Sequence, residues 1–177
     1  YTLSLHDALP ISLSIVRFRT VVEDTRDIRS CDVLAIATKT YDVEAALATV
    51  RHVRAGHAMG LQNGVYKDEQ VARVFGEDRT LGAVAAFGGE LMADGHVVWT
   101  VYEHLCIGRL PSGSTPGIDE IGRTFEAAGF RTIVSSKVQC IEWSKYVVFV
   151  GLLPLAAGLG LMLRADAQFK AAGIVPN

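Results

Sequence analysis

Hydrophobic and polar positions along this chain switch repeatedly between the period of a strand and that of a helix. Ser14 to Val22 alternates Ile15, Arg17, Arg19 and Val21 with Val16, Phe18 and Val22, which predicts a strand ended by Glu23-Asp24-Thr25. Cys31 to Lys39 holds five consecutive apolar residues, Val33 to Ala37, the pattern of a parallel strand covered on both faces. Asp42 then offers an N-cap to a helix carrying Val43, Ala46, Leu47, Val50 and Val53, with Gly56 closing it. His57 to Leu61 predicts the next strand, ended by Gln62-Asn63-Gly64. Asp68 offers a cap to a second helix, whose Val71, Val74 and Phe75 face inward before Gly76 stops it.

Thr80 to Phe87 and Val97 to Ile107 read as strands, with Asp94-Gly95 as a turn between them. Pro111 to Gly117 is a loop by composition. Ile118, Ile121, Phe125 and Ala128 make a third amphipathic helix stopped at Gly129, and Phe130 to Val134 is strand-like. Alternating strands and helices predict an α/β fold with a largely parallel sheet. Tyr146 to Leu163 contains no charge over 18 residues, the lower limit for a membrane span. Pro154, Gly151, Gly158 and Gly160 interrupt it, so a buried helix pair of a soluble protein is the favoured reading and a membrane anchor the competing one.

Composition narrows the classes. Of 177 residues, 50% are hydrophobic, and 17 Lys+Arg stand against 19 Asp+Glu, which excludes intrinsic disorder and leaves no basic excess for nucleic acid. Cys31, Cys106 and Cys140 are odd in number and far apart, which excludes a disulfide framework and suits a reducing, cytoplasmic compartment. Residues 1–11 have no initiator Met, basic segment or cleavage pattern and are not a signal peptide. They resemble the translation of a sequencing-library adapter and are set aside as an artefact, the native sequence starting near Ser12.

Open parallel α/β sheets bind ligands beyond the carboxyl ends of their strands, at the crevice where strand order reverses. Lys39 ends the most strand-like segment and Asn63 ends the following strand. A lysine there can pair with a phosphate, and an asparagine amide can hydrogen-bond a ribose or a nicotinamide. Each can equally be a solvated strand end or a turn residue. Lys145 lies four residues beyond Ile141 at the margin of a helix face made by Val138, Ile141 and Val148. Partial desolvation there would lower its pKa and suit it to proton transfer; the plainer reading is a snorkelling lysine paired with Glu142. His52, His57, His96 and His104 show no ligand spacing, so no metal is expected. Gly88-Gly89 lacks the spacing of a dinucleotide glycine loop.

The segments Cys-Asp-Val-Leu-Ala-Ile-Ala-Thr-Lys-Thr-Tyr-Asp-Val (31–43), Leu-Gln-Asn-Gly-Val (61–65) and Glu-Trp-Ser-Lys-Tyr (142–146), in that order, resemble the ketopantoate reductase family. The resemblance covers about Val21 to Leu155. It implies a Rossmann-like fold, with residues 12–136 as a partial dinucleotide-binding domain and 137–177 as the start of an all-helical substrate and dimerisation domain. It further implies reduction of a 2-keto acid by NADPH, ketopantoate to pantoate. Lys39 and Asn63 would line the cofactor and substrate cleft, and Lys145 would be the general acid. No membrane or nucleic-acid partner is implied, and homodimerisation is left open. By the same likeness the glycine loop lies upstream, and the chain by itself is expected to be inactive.

The family's asparagines four and eight residues beyond the lysine are replaced by Phe149 and Leu153, although Pro154-Leu155 follows as the pattern expects. Hydrocarbon in place of amides points to a more apolar 2-keto acid as an alternative substrate. A non-catalytic nucleotide-binding relative is the alternative outside enzymes.

Overall fold

The computed structural model describes residues 21–93, 97–152, 154–155 and 157–159. Within them five strands form one sheet: β1 (Ser30–Ile36), β2 (Arg54–Gly60), β3 (Thr80–Leu91), β4 (Val97–Arg109) and β5 (Thr132–Val134). Helix α1 (Val43–Val50) joins β1 to β2, α2 (Lys67–Phe75) joins β2 to β3, and α3 (Ile118–Ala127) joins β4 to β5. A fourth helix, α4 (Val138–Val147), follows β5 and runs into a π-helical segment, Val148–Leu152. Strand order follows the chain, β1-β2-β3-β4-β5. All neighbours are parallel except the β3–β4 pair. The predicted strand from Ser14 to Val22 lies outside the described residues up to Thr20, its Val21 and Val22 are not in a strand, and the Asp94-Gly95 turn lies outside them as well.

Strand side chains alternate between the two faces of a sheet, and both faces are covered over β2, the first half of β3 and the second half of β4, while the far end of the β3–β4 pair is exposed. Ala58 packs with Ile36, Val43, Leu47 and Val71, on the face holding α1 and α2. Its neighbour Met59 packs with Leu81, Ala83, Leu105, Ile107 and Ile118, on the face holding α3. The same alternation turns Val84 and Cys106 toward Val138 of α4. Helices α1, α2 and α4 therefore share one face. That is why the strand sequences read as apolar runs rather than as alternations.

Several boundaries differ from the sequence pattern, each for a physical reason. Gly56 does not close α1; it lies within β2, which starts three residues earlier than predicted, at Arg54. A Cβ at Gly56 would stand 2.7 Å from the Asp32 carbonyl, so the glycine serves close approach of β1 and β2. Asp42 precedes α1 but makes no capping hydrogen bond. It ends a 3-10 turn with helical φ and ψ, whereas a capping side chain needs an extended backbone. Asp68 is not a cap either: α2 starts one residue before it, and its carboxylate is bound by Lys67. Gly76 and Gly129 do end helices, with φ of 87° and 95°.

The uncharged C-terminal stretch departs most from expectation. Val138–Leu159 is helical, long and apolar enough to cross a membrane by length and composition, and little of it is buried. Its first turns rest on β3 and β4, but Val147, Val148, Phe149 and Val150 are exposed. Near its start Glu142 meets Lys67 of α2, while Val147 to Val150 stay exposed, so among the described residues the expected buried pair is not formed over that part.

Candidate active site

The site depends on how closely α4 approaches the sheet. Gly82 of β3 and Gly108 of β4 face each other in register. A Cβ at Gly82 would stand 2.8 Å from a Val138 methyl, and one at Gly108 would stand 2.1 Å from the Ser135 carbonyl oxygen. Two paired glycines thus leave a flat pad on which the fully buried Val138 seats the start of α4. Lys145 follows two turns later on the same helix.

Lys145 is half-buried, and its Nζ donates to Asn63 Oδ1 at 2.9 Å and to the Ala85 carbonyl at 2.7 Å. The turn that carries Asn63 is held at the carboxyl end of β2 by two hydrogen bonds. The Leu61 amide donates to the Ile36 carbonyl at 2.8 Å, and the Thr40 hydroxyl donates to the Asn63 carbonyl at 3.2 Å. Gly64, with φ of 108°, lets the chain turn away immediately afterwards. Ala85 precedes a register shift in the β3–β4 ladder, the kind of bulge that re-aims backbone groups beside a site. Burial, reinforced by the nearby Lys67 cation and opposed by Glu142, holds the Lys145 ammonium below the usual lysine range. The desolvated lysine inferred from the helix margin is present, and it is joined to Asn63 across 82 positions of sequence.

A second polar group lies behind it. Lys67 of α2 is 2% exposed, and its Nζ donates to Asp68 Oδ1 at 3.0 Å and to Glu142 Oε1 of α4. Glu142 is therefore the partner of Lys67, not of Lys145 as the snorkelling alternative supposes. Two buried carboxylates share one cation, so one of them retains a proton. Burial and a hydrogen bond with Asp68 push Glu142 up to about 8, against the pull of Lys67. Sequence inspection misses this cluster because Lys-Asp-Glu at 67–69 reads as the solvated first turn of a helix. A usable signal existed: Glu142 sits between Ile141 and Trp143 on the same helix as Val138.

These groups open onto a cleft of about 930 Å³. Asn63, Lys67, Glu142 and Lys145 line one side, and Phe87, Val148 and Phe149 are among the apolar lining residues. Next to this wall, at the carboxyl ends of β1 and β2, Thr38 Oγ1 and both amide atoms of Gln62 are buried without a hydrogen-bond partner among the described residues. Lys39 does not join the others. It is exposed ahead of a 3-10 turn, its carbonyl accepting from the Asp42 amide at 2.9 Å, while its neighbour Thr40 lines the cleft. Leu153 lies outside the described residues. Strand order among the described strands does not reverse, so the cleft is set by the strand ends and α4 rather than by a visible switch point.

The profile of the ketopantoate reductase PanE/ApbA family matches residues 4–112, more than half of the chain. The chain belongs to the ketopantoate reductase family. Lys39 and Asn63 fall inside the matched span, and Lys145 lies beyond it. The 2-dehydropantoate 2-reductases of Pyrococcus horikoshii and Aquifex aeolicus are 29% and 31% identical over 127 and 133 residues, 71% of this chain in each case. The chain spans 42% of the length of each of those relatives. Among solved structures, the 2-dehydropantoate 2-reductase of Methylococcus capsulatus superposes with a TM-score of 0.65 at 21% identity, covering 78% of this chain and 46% of that one. D-mandelate dehydrogenase, solved with NADH and anilino(oxo)acetate, gives 0.60 at 14% identity, covering 67% and 39%. Both superpositions bear out the Rossmann-like, largely parallel fold of this ketopantoate reductase family member.

Proposed function

We propose that this chain carries the reductase site of an NADPH-dependent 2-keto acid reductase, with 2-dehydropantoate as substrate and pantoate as product, working in the cytoplasm for pantothenate synthesis. The observation that carries the reading is Lys145: a desolvated ammonium pinned by Asn63 and Ala85 on the wall of an open cleft. NADPH, when bound, supplies a hydride to the carbonyl carbon. The residues at the strand ends suit such a ligand, since Thr38 and Gln62 hold buried polar atoms with unused hydrogen-bonding capacity where a nucleotide would lie. Asn63 would bind cofactor and substrate through the amide it does not use on Lys145. Lys39, exposed at the end of β1, would meet the cofactor's phosphate from outside the lysine-lined wall.

Lys145 acts as the acid. As the carbonyl oxygen becomes an alkoxide, an Nζ–H of Lys145 passes to it and the hydroxy acid forms, leaving a neutral amine that recovers its proton from solvent. A lowered proton affinity brings the lysine nearer to working pH, and the Asn63 and Ala85 acceptors fix the direction of its donors. In the intact enzyme, Lys145→Ala should lower kcat at least about a hundredfold while NADPH binding, followed by fluorescence, changes little. An unchanged kcat would remove the acid role. NADPH binding without turnover of any 2-keto acid would instead favour the non-catalytic nucleotide binder.

One observation favours a different substrate within the same chemistry. Phe149, where the family pattern has an asparagine, is 61% exposed and lines the cleft with Val148 and Val150. A hydrocarbon wall suits a 2-keto acid with an apolar or aryl side chain, a class consistent with the compound named in the D-mandelate dehydrogenase structure. A panel of 2-keto acids followed by NADPH absorbance separates the two substrates.

A further inference from the structure

We propose that Glu142, anchored by Lys67 and Asp68, is a positioning residue whose carboxyl keeps Lys145 loaded with its proton as the solution turns alkaline. The proposal rests on Lys145 being the working lysine of the cleft, but its geometry stands by itself. Glu142 and Lys145 are three residues apart on α4, so they share a helix face. Lys67, Glu142 and Lys145 line the same cleft. Glu142 cannot swing away, since Lys67 Nζ holds Oε1 and the side chain is 3% exposed.

Three elements place charged or titratable groups around Lys145. Helix α2 contributes Lys67 and Asp68, α4 contributes Glu142 and Tyr146, and β4 contributes Glu103 and His104 on the cleft lining; β3 offers the Ala85 carbonyl. Lys67 is a fixed cation that works against the Lys145 ammonium, and Glu142 works for it. The Lys67–Asp68–Glu142 cluster balances its own charge only while one carboxyl keeps a proton. Below about pH 8 Glu142 is the protonated member and exerts little hold on Lys145. As pH rises through that value the new carboxylate appears beside Lys145 and strengthens its grip on the proton. Two coupled sites of this kind titrate as a pair over a broadened range. The acid thus remains charged under conditions where an isolated, half-buried lysine with a cationic neighbour would have become a neutral amine.

The test reads Lys145 directly on this chain, without needing turnover. Brief labelling with acetic anhydride across a pH series, with the modified lysines quantified by mass spectrometry, gives the fraction of neutral amine at Lys145. In the unaltered chain the Lys145 curve should be broadened, with an inflection near pH 8 where Glu142 ionises. In Glu142→Gln, which keeps the hydrogen-bonding shape but never gains charge, Lys145 should become reactive about one pH unit lower, as expected for loss of one nearby charge. Glu142→Asp should leave the curve near the original. A narrow single curve in the unaltered chain overturns the proposal, and this arm stands even if a variant does not fold. No shift in Glu142→Gln, or equal shifts in the Gln and Asp variants, also overturns it. Failure of the acid role would show separately, as an unchanged kcat in Lys145→Ala with the labelling pattern intact.

Discussion

Removing the Lys67 amine should destabilise the fold strongly, and far more above pH 8 than near pH 5. Lys67→Met keeps the bulk of a side chain that is 2% exposed but leaves the Asp68 and Glu142 carboxyls, 6% and 3% exposed, without their cation. Deleting one partner of a buried pair typically costs about 3–5 kcal/mol, a large part of the 5–15 kcal/mol that holds a domain together. The size at each pH follows from proton bookkeeping. Glu142 has a folded-state pKa raised from 4.5 to about 8, so between those values the folded chain binds more protons than the unfolded one. Stability from this group is therefore fully present below the lower value and is lost as pH rises through the upper one. Lys67 is what limits that loss, because its charge favours the ionised carboxyl. Without it, two carboxylates face each other in a buried site above pH 8, whereas near pH 5 Glu142 carries its proton in either chain. Urea denaturation followed by the fluorescence of Trp99 and Trp143, at about pH 5 and about pH 9, measures the difference. The midpoint should fall modestly at the lower pH and severely at the higher, and acidification should restore folding. An equal loss at both values would mean that Lys67 contributes packing rather than charge compensation, and would refute this account of the cluster.

Two further substitutions address the seating of α4 and the cleft wall. Gly108→Ala forces a Cβ into the Ser135 carbonyl and Val138, and should cost about 3 kcal/mol in thermal or urea unfolding. Gly151→Ala, where nothing lies within 4 Å, should change stability by less than about 0.5 kcal/mol. Equal effects would show that helix–sheet contact at the glycine pad is not what positions α4. Phe149→Asn should raise kcat/KM for 2-dehydropantoate relative to an apolar 2-keto acid by about tenfold in the intact enzyme. An unaltered ratio would remove Phe149 from substrate selection.

What the sequence shows and what it conceals follow from the kind of force acting at each residue. The strands around Val33, Thr80 and Leu105 are visible because cover on both faces demands a run of hydrocarbon, and the run survives in one dimension. Lys145 and Asn63 are visible for a similar reason: each interrupts an apolar pattern at a place where topology already directs ligands. Lys39 obeys the same rule of position, yet the chain enters its 3-10 turn there and presents Thr40 to the cleft instead. A rule that locates the end of a strand does not fix which of two adjacent side chains faces inward. Lys67, Asp68 and Glu142 are concealed for the opposite reason. Charges at the first turn of a helix are what a solvated surface also displays, and the partner that buries them lies 75 residues away. Local pattern registers desolvation only when the surroundings are apolar in sequence as well as in space. Glu142 meets that condition and Lys67 does not, so the glutamate, flanked by Ile141 and Trp143, is the residue from which the cluster could have been inferred: a carboxylate on a sheet-facing helix requires a cation, and the helix that packs beside it is where to look.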